Sequence, residues 1–227
     1  MNIMWWNLQR LGATTQQVRT RPIELVHGTI PAHLYVFCEL TPECVAPSPQ
    51  QYVYRRRNGR QLCYGVIGRN LQNPPCVRYT PAPTACYSNA GFKGGNDFTN
   101  LADRAPGHTV LTDGTPLYYL HAPASTNTAI RAMTFMACDL IARHGAAPWL
   151  MVGDFNVEPD RLRARAPQPI GRLIKKTGLP THLGRHPREL DYVLSNIRDV
   201  EITHWSGLGV SDHKPILVTY DLRHGTN

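Results

Sequence analysis

The sequence lacks features that mark several protein classes. No apolar run approaches the roughly 20 residues that a bilayer-spanning helix needs, which predicts a soluble protein without a membrane span. The six cysteines form no Cys-x-x-Cys pair and no zinc-like grouping, so no zinc site is predicted. Internal repeats and low-complexity segments are also missing, which leaves a globular fold.

Charged residues are scarce at 18%, against 42% hydrophobic residues, and the chain carries 18 Gly and 19 Pro. This balance excludes a fibrous, collagen-like or wholly disordered chain. At 227 residues the chain is long enough for one large domain or two small ones, and no linker interrupts it. We therefore predict a single turn-rich domain over residues 1–227.

Lysine is scarce as well, although the chain is basic. The 24 Lys and Arg residues outnumber 16 Asp and Glu, giving a net charge of +8, and only four of the 24 are Lys. The planar Arg side chain suits phosphate oxygens, so this bias points to nucleic acid or phospholipid, although many basic proteins bind no anion. The run Arg55–Arg57 is either a DNA-tracking or nuclear-targeting segment or an ordinary solvated face.

The first residues, MNIMWWNLQ, lack the basic and apolar regions of a signal peptide and are typical of a strand. The chain is therefore either cytosolic or a mature form from which an export signal was removed. Cys38 and Cys138 lie in apolar runs and are predicted to be buried thiols. Cys76 and Cys86 could be bridged in an oxidising compartment, so the cysteines leave the compartment open.

Short β-branched and aromatic runs alternate with Gly/Pro/Asn clusters, which predicts many strands. The predicted strands cover 2–8, 34–39, 51–56, 62–68, 108–112, 117–121, 149–153, 190–194, 199–204 and 215–221. Helices are predicted at 127–144, ending at Gly145, and at 167–177, with a weaker one within 14–29. The expected architecture is two packed sheets flanked by helices, and the irregular segment 70–107 is expected to be functional or mobile.

Two short segments carry residues suited to phosphoryl chemistry. Asp154 and Asn156 follow an apolar strand two residues apart, where they could hold an attacking water and a phosphoryl oxygen, or simply form a turn. Asp212 and His213 precede another strand and could supply a metal ligand and a general base, or cap a turn. Asp191, in an apolar strand, needs a partner, and pairing with His213 would orient that imidazole.

Further polar residues close other apolar strands. Asn7 ends IMWWN, Glu39 ends LYVFCE and His121 ends LYYLH. Each is also an ordinary strand-end residue, but oxygen ligands at strand mouths could meet around Mg²⁺. The coincidence of five such strand ends is the argument for a site.

The motifs WWNLQ, FCEL, LHAP, GDFNVEP, LDYVL and SDHKPI occur in the order found in the endonuclease/exonuclease/phosphatase superfamily, with the DNase I-like fold. The sequence resembles this superfamily over residues 5 to 216, and most of all the active subunit of cytolethal distending toxins. LDYVL and SDHKPI also resemble abasic-site endonucleases. Inositol-polyphosphate 5-phosphatases have Trp-Cys-Asp-Arg where this chain has LDYV, which argues against that branch.

The resemblance implies an α/β (α+β) four-layered sandwich and a set of roles. Glu39, Asn7 and Asp212 would hold Mg²⁺, or Mn²⁺, and Asp154 and Asn156 would position water and phosphate. His213, oriented by Asp191, would be a general base or an electrostatic partner, and His121 would donate a hydrogen bond or proton. By local pattern, Arg60 and Arg104 match phosphate-binding arginines of the toxin subunits, although each is also typical of a solvated surface residue.

The resemblance gives three hypotheses. The first is a metal-dependent endonuclease that acts on DNA as a secreted toxin, with delivery subunits as candidate partners. The second is a phosphoinositide phosphatase or phospholipid phosphodiesterase on the same fold, which charge alone does not distinguish from a nuclease. The third is a non-catalytic binding module, against which the complete set of acidic, amide and imidazole residues argues.

Overall fold

We describe a computed structural model of the chain, covering residues 1–8, 26, 29–40, 51–54, 63–68, 71–72, 106–206 and 211–222. In these residues two mixed β-sheets face each other. The first has the strand order β10-β11-β1-β2-β4-β3 and the second β5-β6-β7-β9-β8. The strands are β1 Asn2–Asn7, β2 Leu34–Leu40, β3 Gln51–Tyr54, β4 Cys63–Gly68, β5 Gly107–Val110, β6 Pro116–His121, β7 Leu150–Asp154, β8 Ile174–Lys175, β9 Asp191–Ser195, β10 Val200–His204 and β11 Ile216–Tyr220.

Side-chain alternation divides each central strand between two cores. In β1, Ile3 and Trp5 pack between the sheets, whereas Met4 and Trp6 lie on the outer face of the first sheet. Val26, which is helical, and Ile30 cover that outer face. In the second sheet the inward residues include Leu117, Tyr119, Leu150, Val152 and Val193. Every second residue of β1, β6, β7 and β9 therefore contributes to the sandwich core, together with residues of β2, β4 and β11.

Helices pack on the outer face of the second sheet. They are α1 Thr126–His144, α2 Pro159–Arg165 and α3 Gln168–Leu173. Met133, Met136 and Leu140 of α1 contact the outward residues Tyr118, Met151 and Leu194. The methionine stripe of α1 is thus core, as predicted, and the layered arrangement of two sheets with external helices is confirmed.

The first predicted helix is confirmed nearly to the residue, since α1 ends at His144 and is followed by Gly145, whose φ is positive (56°). Ser125 precedes α1, but its side chain makes no capping hydrogen bond. Gly145 donates its N–H to the Ile141 carbonyl at 2.8 Å. None of the helices in the described residues has the length and apolar character needed to span a bilayer.

The second predicted helix, 167–177, is too long. Helix α3 stops at Leu173 because Ile174 and Lys175 pair with Leu194 and Val193 as the edge strand β8. Helix α2 is not among the predicted elements, although Pro159 stands in its first turn and Arg163 and Arg165 in its last. The helix predicted within 14–29 lies largely outside the described residues.

Most predicted strands are confirmed with shifts of one or two residues at their ends. Residues 55 and 56 of the predicted third strand, most of segment 70–107, the Arg55–Arg57 run and the Cys76–Cys86 pair lie outside the described residues. Cys38 is buried as predicted, whereas Cys138 is only half-buried because it lies at the margin of the α1 core.

Candidate active site

Three of the predicted site residues form one row across the second sheet. His121 of β6 is paired in register with Asp154 of β7, and Asp154 with Asp191 of β9. By alternation these residues share the side of the sheet that carries Tyr119, Val152 and Val193, the inward side. These three polar residues therefore lie at one end of the sheet, on the same face as the apolar residues of the sandwich core.

The first sheet supplies hydrogen-bond donors to the two carboxylates of this row. Asn7, two residues beyond Trp5 in the same inward series, donates from Nδ2 to Asp154 Oδ2 at 2.8 Å. Trp5 donates from Nε1 to Asp191 Oδ1 at 2.9 Å. Because Asp154 and Asp191 are 2% and 0% exposed, these donors reduce the cost of burying charge.

Glu39 reaches the site through a distortion of β2. Leu34, Val36 and Cys38 face inward, so regular alternation would turn Glu39 outward. The pairing of β2 with β4 shifts register between Phe37 and Leu40, and Glu39 adopts a left-handed conformation (φ 56°). This bulge redirects the side chain, and Glu39 Oε1 lies 3.4 Å from His121 Nδ1. Such backbone strain at a non-glycine residue is a common mark of functional sites.

Asp154 lies between the two candidate catalytic histidines. Its Oδ2 is 3.6 Å from His121 Nε2 and 3.7 Å from His213 Nε2. Its Oδ1 accepts the Asn156 backbone N–H at 3.0 Å. Gly153, just before it, leaves no space for a side chain, since a Cβ there would lie 2.0 Å from the Leu120 carbonyl oxygen. The close approach of β6 and β7 that brings His121 beside Asp154 therefore needs glycine at this position.

Asn156 adopts the second left-handed conformation of a non-glycine residue in the described part of the chain (φ 52°). Its side-chain Nδ2 donates to the Ala122 carbonyl at 2.9 Å, just after His121. The turn after β7 is thus tied to the end of β6. The turn predicted for Asn156 is therefore present, and it lies beside Asp154 and His121.

His213 is paired with Asp191 through Nδ1 and Oδ2 at 2.7 Å. Burial alone would lower the pKa of His213, but the charge and hydrogen bond of Asp191, with Asp154 and Asp212 nearby, raise it to about 9. An imidazolium is therefore favoured at neutral pH. Both roles predicted from the sequence, general base and electrostatic partner, use this pairing with Asp191.

The loop that carries His213 is anchored to β1. Ser211 Oγ donates to the Asn7 carbonyl at 2.8 Å and accepts the His213 N–H at 3.1 Å. Trp6 donates from Nε1 to the His213 carbonyl at 2.8 Å. These two contacts to β1 connect residues that are separated by 204 and 207 positions in the sequence. They hold His213 against Asp154 and Asp191.

Asp212 lies at the rim of the same site and fits a divalent cation. Its Oδ1 is buried and has no hydrogen-bond partner in the described residues, and it lies 3.9 Å from His213 Nε2. A buried carboxylate oxygen without a donor is a suitable position for a hard cation. In the described residues, the close donor group that includes Asp212 consists of Asp212, His182 and His213, whose ligand atoms lie within 4.8 Å of one another. Glu39 and Asn7, the other residues predicted to hold the cation, are not part of that group.

The structure joins eight of the ten predicted site residues through a continuous series of contacts. The series comprises Asn7, Glu39, His121, Asp154, Asn156, Asp191, Asp212 and His213. Arg60 and Arg104 lie outside the described residues.

Sequence reasoning missed three residues that shape the site. Trp5 supports Asp191, and Thr181 Oγ1 accepts the N–H groups of Leu190 and Asp191 at the entrance of β9. His182 contacts Asp212, with Nε2 3.1 Å from Oδ2. Alternation in β1 could have identified Trp5, since it is two residues before Asn7; Thr181 and His182 lie in a loop that carries no recognisable pattern.

No family model and no curated protein matches the sequence. Solved structures do match over nearly the full chain. Humanized D. rerio TDP2 is 13% identical with a TM-score of 0.68, covering 97% of this chain and 98% of that one. CdtB, the biologically active subunit of cytolethal distending toxin, is 19% identical with a TM-score of 0.61, covering 97% of each chain.

The Haemophilus ducreyi cytolethal distending toxin is 14% identical with a TM-score of 0.63, covering 97% of this chain and 98% of that one. At such low identity the likeness establishes the fold. The chain has the DNase I-like fold that its motifs predict.

Proposed function

We propose that the protein is a divalent-metal-dependent phosphodiesterase, and specifically an endonuclease that hydrolyses DNA. The observation that carries this proposal is the buried Asp154 carboxylate with an imidazole nitrogen at 3.6 Å on one side and 3.7 Å on the other. A carboxylate between two imidazoles, with further acidic residues at the rim, suits hydrolysis of a phosphate ester.

Each side chain has a role that follows from its contacts. Asp154, oriented by Asn7 and the Asn156 N–H, accepts a proton from the attacking water. The His213 imidazolium, held by Asp191, stabilises the negative charge that develops on the phosphoryl oxygens. His121, held between Glu39 and Asp154, donates a hydrogen bond or proton on the other side of the phosphate.

Glu39, Asp212 and Asn7 are the proposed ligands of the cation, Mg²⁺ or Mn²⁺. These residues would hold a cation that would supply Lewis acidity towards a phosphoryl oxygen. The proposed ligands lie in β1, in the bulge of β2 and in the loop before β11, so they are distant in the sequence.

The basic charge suits DNA, although it suits an acidic lipid equally well. The excess of eight positive charges consists mainly of Arg, which binds phosphate with a planar fork. Arg60 and Arg104 remain candidate phosphate-binding residues. The likeness to CdtB, the biologically active subunit of a toxin, further supports a toxin role with delivery subunits as partners.

A parallel digestion experiment tests the proposal. Supercoiled plasmid, RNA and phosphoinositide vesicles are incubated with the purified chain in Mg²⁺, in Mn²⁺ and in EDTA. We expect nicked plasmid in either metal, none in EDTA, and no release of phosphate from lipid. Release from phosphoinositides without nicking would replace the nuclease by a lipid phosphatase, and no hydrolysis of any substrate would favour a binding module.

Matched histidine variants assign the activity to the site. His121→Gln and His213→Gln should each lower plasmid nicking by about 10²-fold or more, since each removes a group that faces the phosphate. His144→Gln, at the end of α1 and outside the contact series, should nick at the parental rate. Equal loss in all three variants would contradict the assignment.

A further inference from the structure

His182 and Asp212 form a side-chain pair that the proposed mechanism does not use fully. Nε2 of His182 lies 3.1 Å from Asp212 Oδ2, and both residues are only partly exposed. Backbone hydrogen bonds join the two loops that carry the pair. Leu183 donates its backbone N–H to the Asp212 carbonyl at 2.6 Å, and Lys214 donates its backbone N–H to the Thr181 carbonyl at 2.7 Å. His182 therefore stands opposite Asp212 because two loops are hydrogen-bonded to each other, and not through a chance side-chain contact.

The ring of His182 is fixed from its other side. Gly184 lies so close that an added Cβ would be 2.4 Å from His182 Cε1. The ring also stacks edge-on against His213, with centroids 4.8 Å apart. In this position Nε2 faces the Asp212 carboxylate, and Nδ1 is buried without a hydrogen-bond partner in the described residues.

Donor atoms of His182, Asp212 and His213 lie within 4.8 Å of one another. Nδ1 of His213 is already committed to Asp191 at 2.7 Å. Asp212 Oδ1 is buried without a hydrogen-bond partner in the described residues. The pair thus offers one nitrogen and a carboxylate with an unsatisfied oxygen at the edge of the proposed cation site.

Nitrogen donors change which cation a site prefers. Mg²⁺ favours oxygen ligands and retains several waters, whereas imidazole suits Mn²⁺, Co²⁺ and Zn²⁺ increasingly well. We propose that His182 and Asp212 bind one divalent transition-metal ion through Nε2 and a carboxylate oxygen. The inference deepens the proposed function, because it assigns the cation site a preference for such ions over Mg²⁺. It rests on the proposed function only in that both use Asp212 as a ligand.

The test is metal binding by the full chain, not activity. Mn²⁺ binding to the purified protein is measured by electron paramagnetic resonance and by equilibrium dialysis, and Mg²⁺ binding by competition with Mn²⁺. In His182→Gln, which substitutes an amide for the imidazole, the Mn²⁺ dissociation constant should rise about 10- to 100-fold. Mg²⁺ affinity should change less than about threefold, because Mg²⁺ gains little from nitrogen.

Spectroscopy on the bound ion provides a second readout. Nitrogen coupling to Mn²⁺, seen in pulsed resonance spectra of the parent, should be lost in His182→Gln. His186→Gln, a substitution at an exposed residue of the same loop, is the matched control and should retain both the coupling and the affinity. His182→Asn is measured in parallel, and thermal unfolding in EDTA identifies which variants keep the fold.

The outcomes separate this inference from the nuclease proposal. Unchanged Mn²⁺ affinity and nitrogen coupling in a folded His182 variant overturn the ligand assignment, even where plasmid is nicked. Loss of both in the His182 variants alone supports it, even where no nucleic acid is cut.

Discussion

Histidines occupy both faces of the second sheet, and their electrostatic environments are opposite. On the inward face, the Asp191, Asp154 and Asp212 carboxylates surround His213 and raise its pKa to about 9 despite its burial. On the outer face, His108 and His144 flank Tyr118, and burial followed by the nearby Arg143 lowers the pKa of both. Asp139, which acts in the opposite direction on His144, is engaged by Arg143 at 3.2 Å.

Burial disfavours the imidazolium at both faces, so burial alone does not distinguish them. The difference lies in the charge of the neighbours. Carboxylates turned inward by strand alternation favour a cation at the site, whereas a guanidinium on the outer face favours neutral imidazoles. The imidazole at the inward face is therefore favoured in its charged form, and the imidazoles at the outer face in their neutral form.

The largest loss of activity is expected when the charge of Asp154, on the inward face, is removed. Asp154→Asn keeps the shape but loses the charge between His121 and His213, and the group proposed to accept the proton of water. We expect plasmid nicking to fall by about 10³-fold or more in single-turnover assays. Asp160→Asn, on the surface of α2, is the control and should nick normally; an Asp154→Asn rate within about tenfold of the parent would contradict the role.

Asp191→Asn tests the comparison directly, because it replaces the carboxylate that favours the His213 imidazolium. The pKa of His213 should fall from about 9, as followed by nuclear magnetic resonance of the imidazole. Nicking should fall by about 10²- to 10⁴-fold, by analogy with the loss of the orienting carboxylate in catalytic triads. A His213 that still titrates near 9 would show that Asp191 does not control its charge.

The outer histidines predict how stability depends on pH. Because the pKa of each is lowered in the folded chain, the unfolded chain binds protons first as the pH falls below the ordinary histidine value of 6.5. The stability that these two histidines contribute should therefore decrease from about pH 7 towards about pH 5, as measured by urea unfolding. His213 acts in the opposite direction, because its pKa of about 9 in the folded chain lies above 6.5, so the contribution of His144 is measured as the difference from a His144 variant. His144→Gln should make this decrease shallower, and an unchanged slope would refute the contribution of His144.

The smallest effect is expected for Tyr118→Phe, which sharpens the description of the outer face. Tyr118 Oη lies 2.8 Å from His144 Nε2, a hydrogen bond to an imidazole that is favoured in its neutral form. Its loss should cost about 1 kcal/mol of unfolding free energy at about pH 7.5. The same substitution in a His144→Gln background should cost clearly less, since the partner is already gone.

The sequence could predict the part of the site that follows regular strands. Asn7, His121, Asp154 and Asp191 are all in phase with the inward apolar residues of their strands, so alternation brings them to one side. The methionine stripe likewise predicts the packing of α1. Such features depend only on local periodicity, which can be read directly from the sequence.

Other features depend on contacts between distant segments. The orientation of Glu39 is set by a bulge against β4, and alternation alone would have turned it outward. His182 joins the site only because its loop is hydrogen-bonded to the segment around Asp212, and α3 ends early because Ile174 pairs with β9. Helix α2 is different. The proline in its first turn and the arginines in its last turn are visible in the sequence, but a helix of 7 residues is too short to show a clear apolar periodicity.

The two adjacent tryptophans of β1 give the site an intrinsic optical signal. The Trp5 indole donates to the Asp191 carboxylate, and the Trp6 indole, on the opposite face of the strand, donates to the backbone carbonyl of His213. Indole emission responds to the electric field of its surroundings. Ligand binding at His213 can accordingly be followed by the fluorescence of the unlabelled chain, with no dye attached.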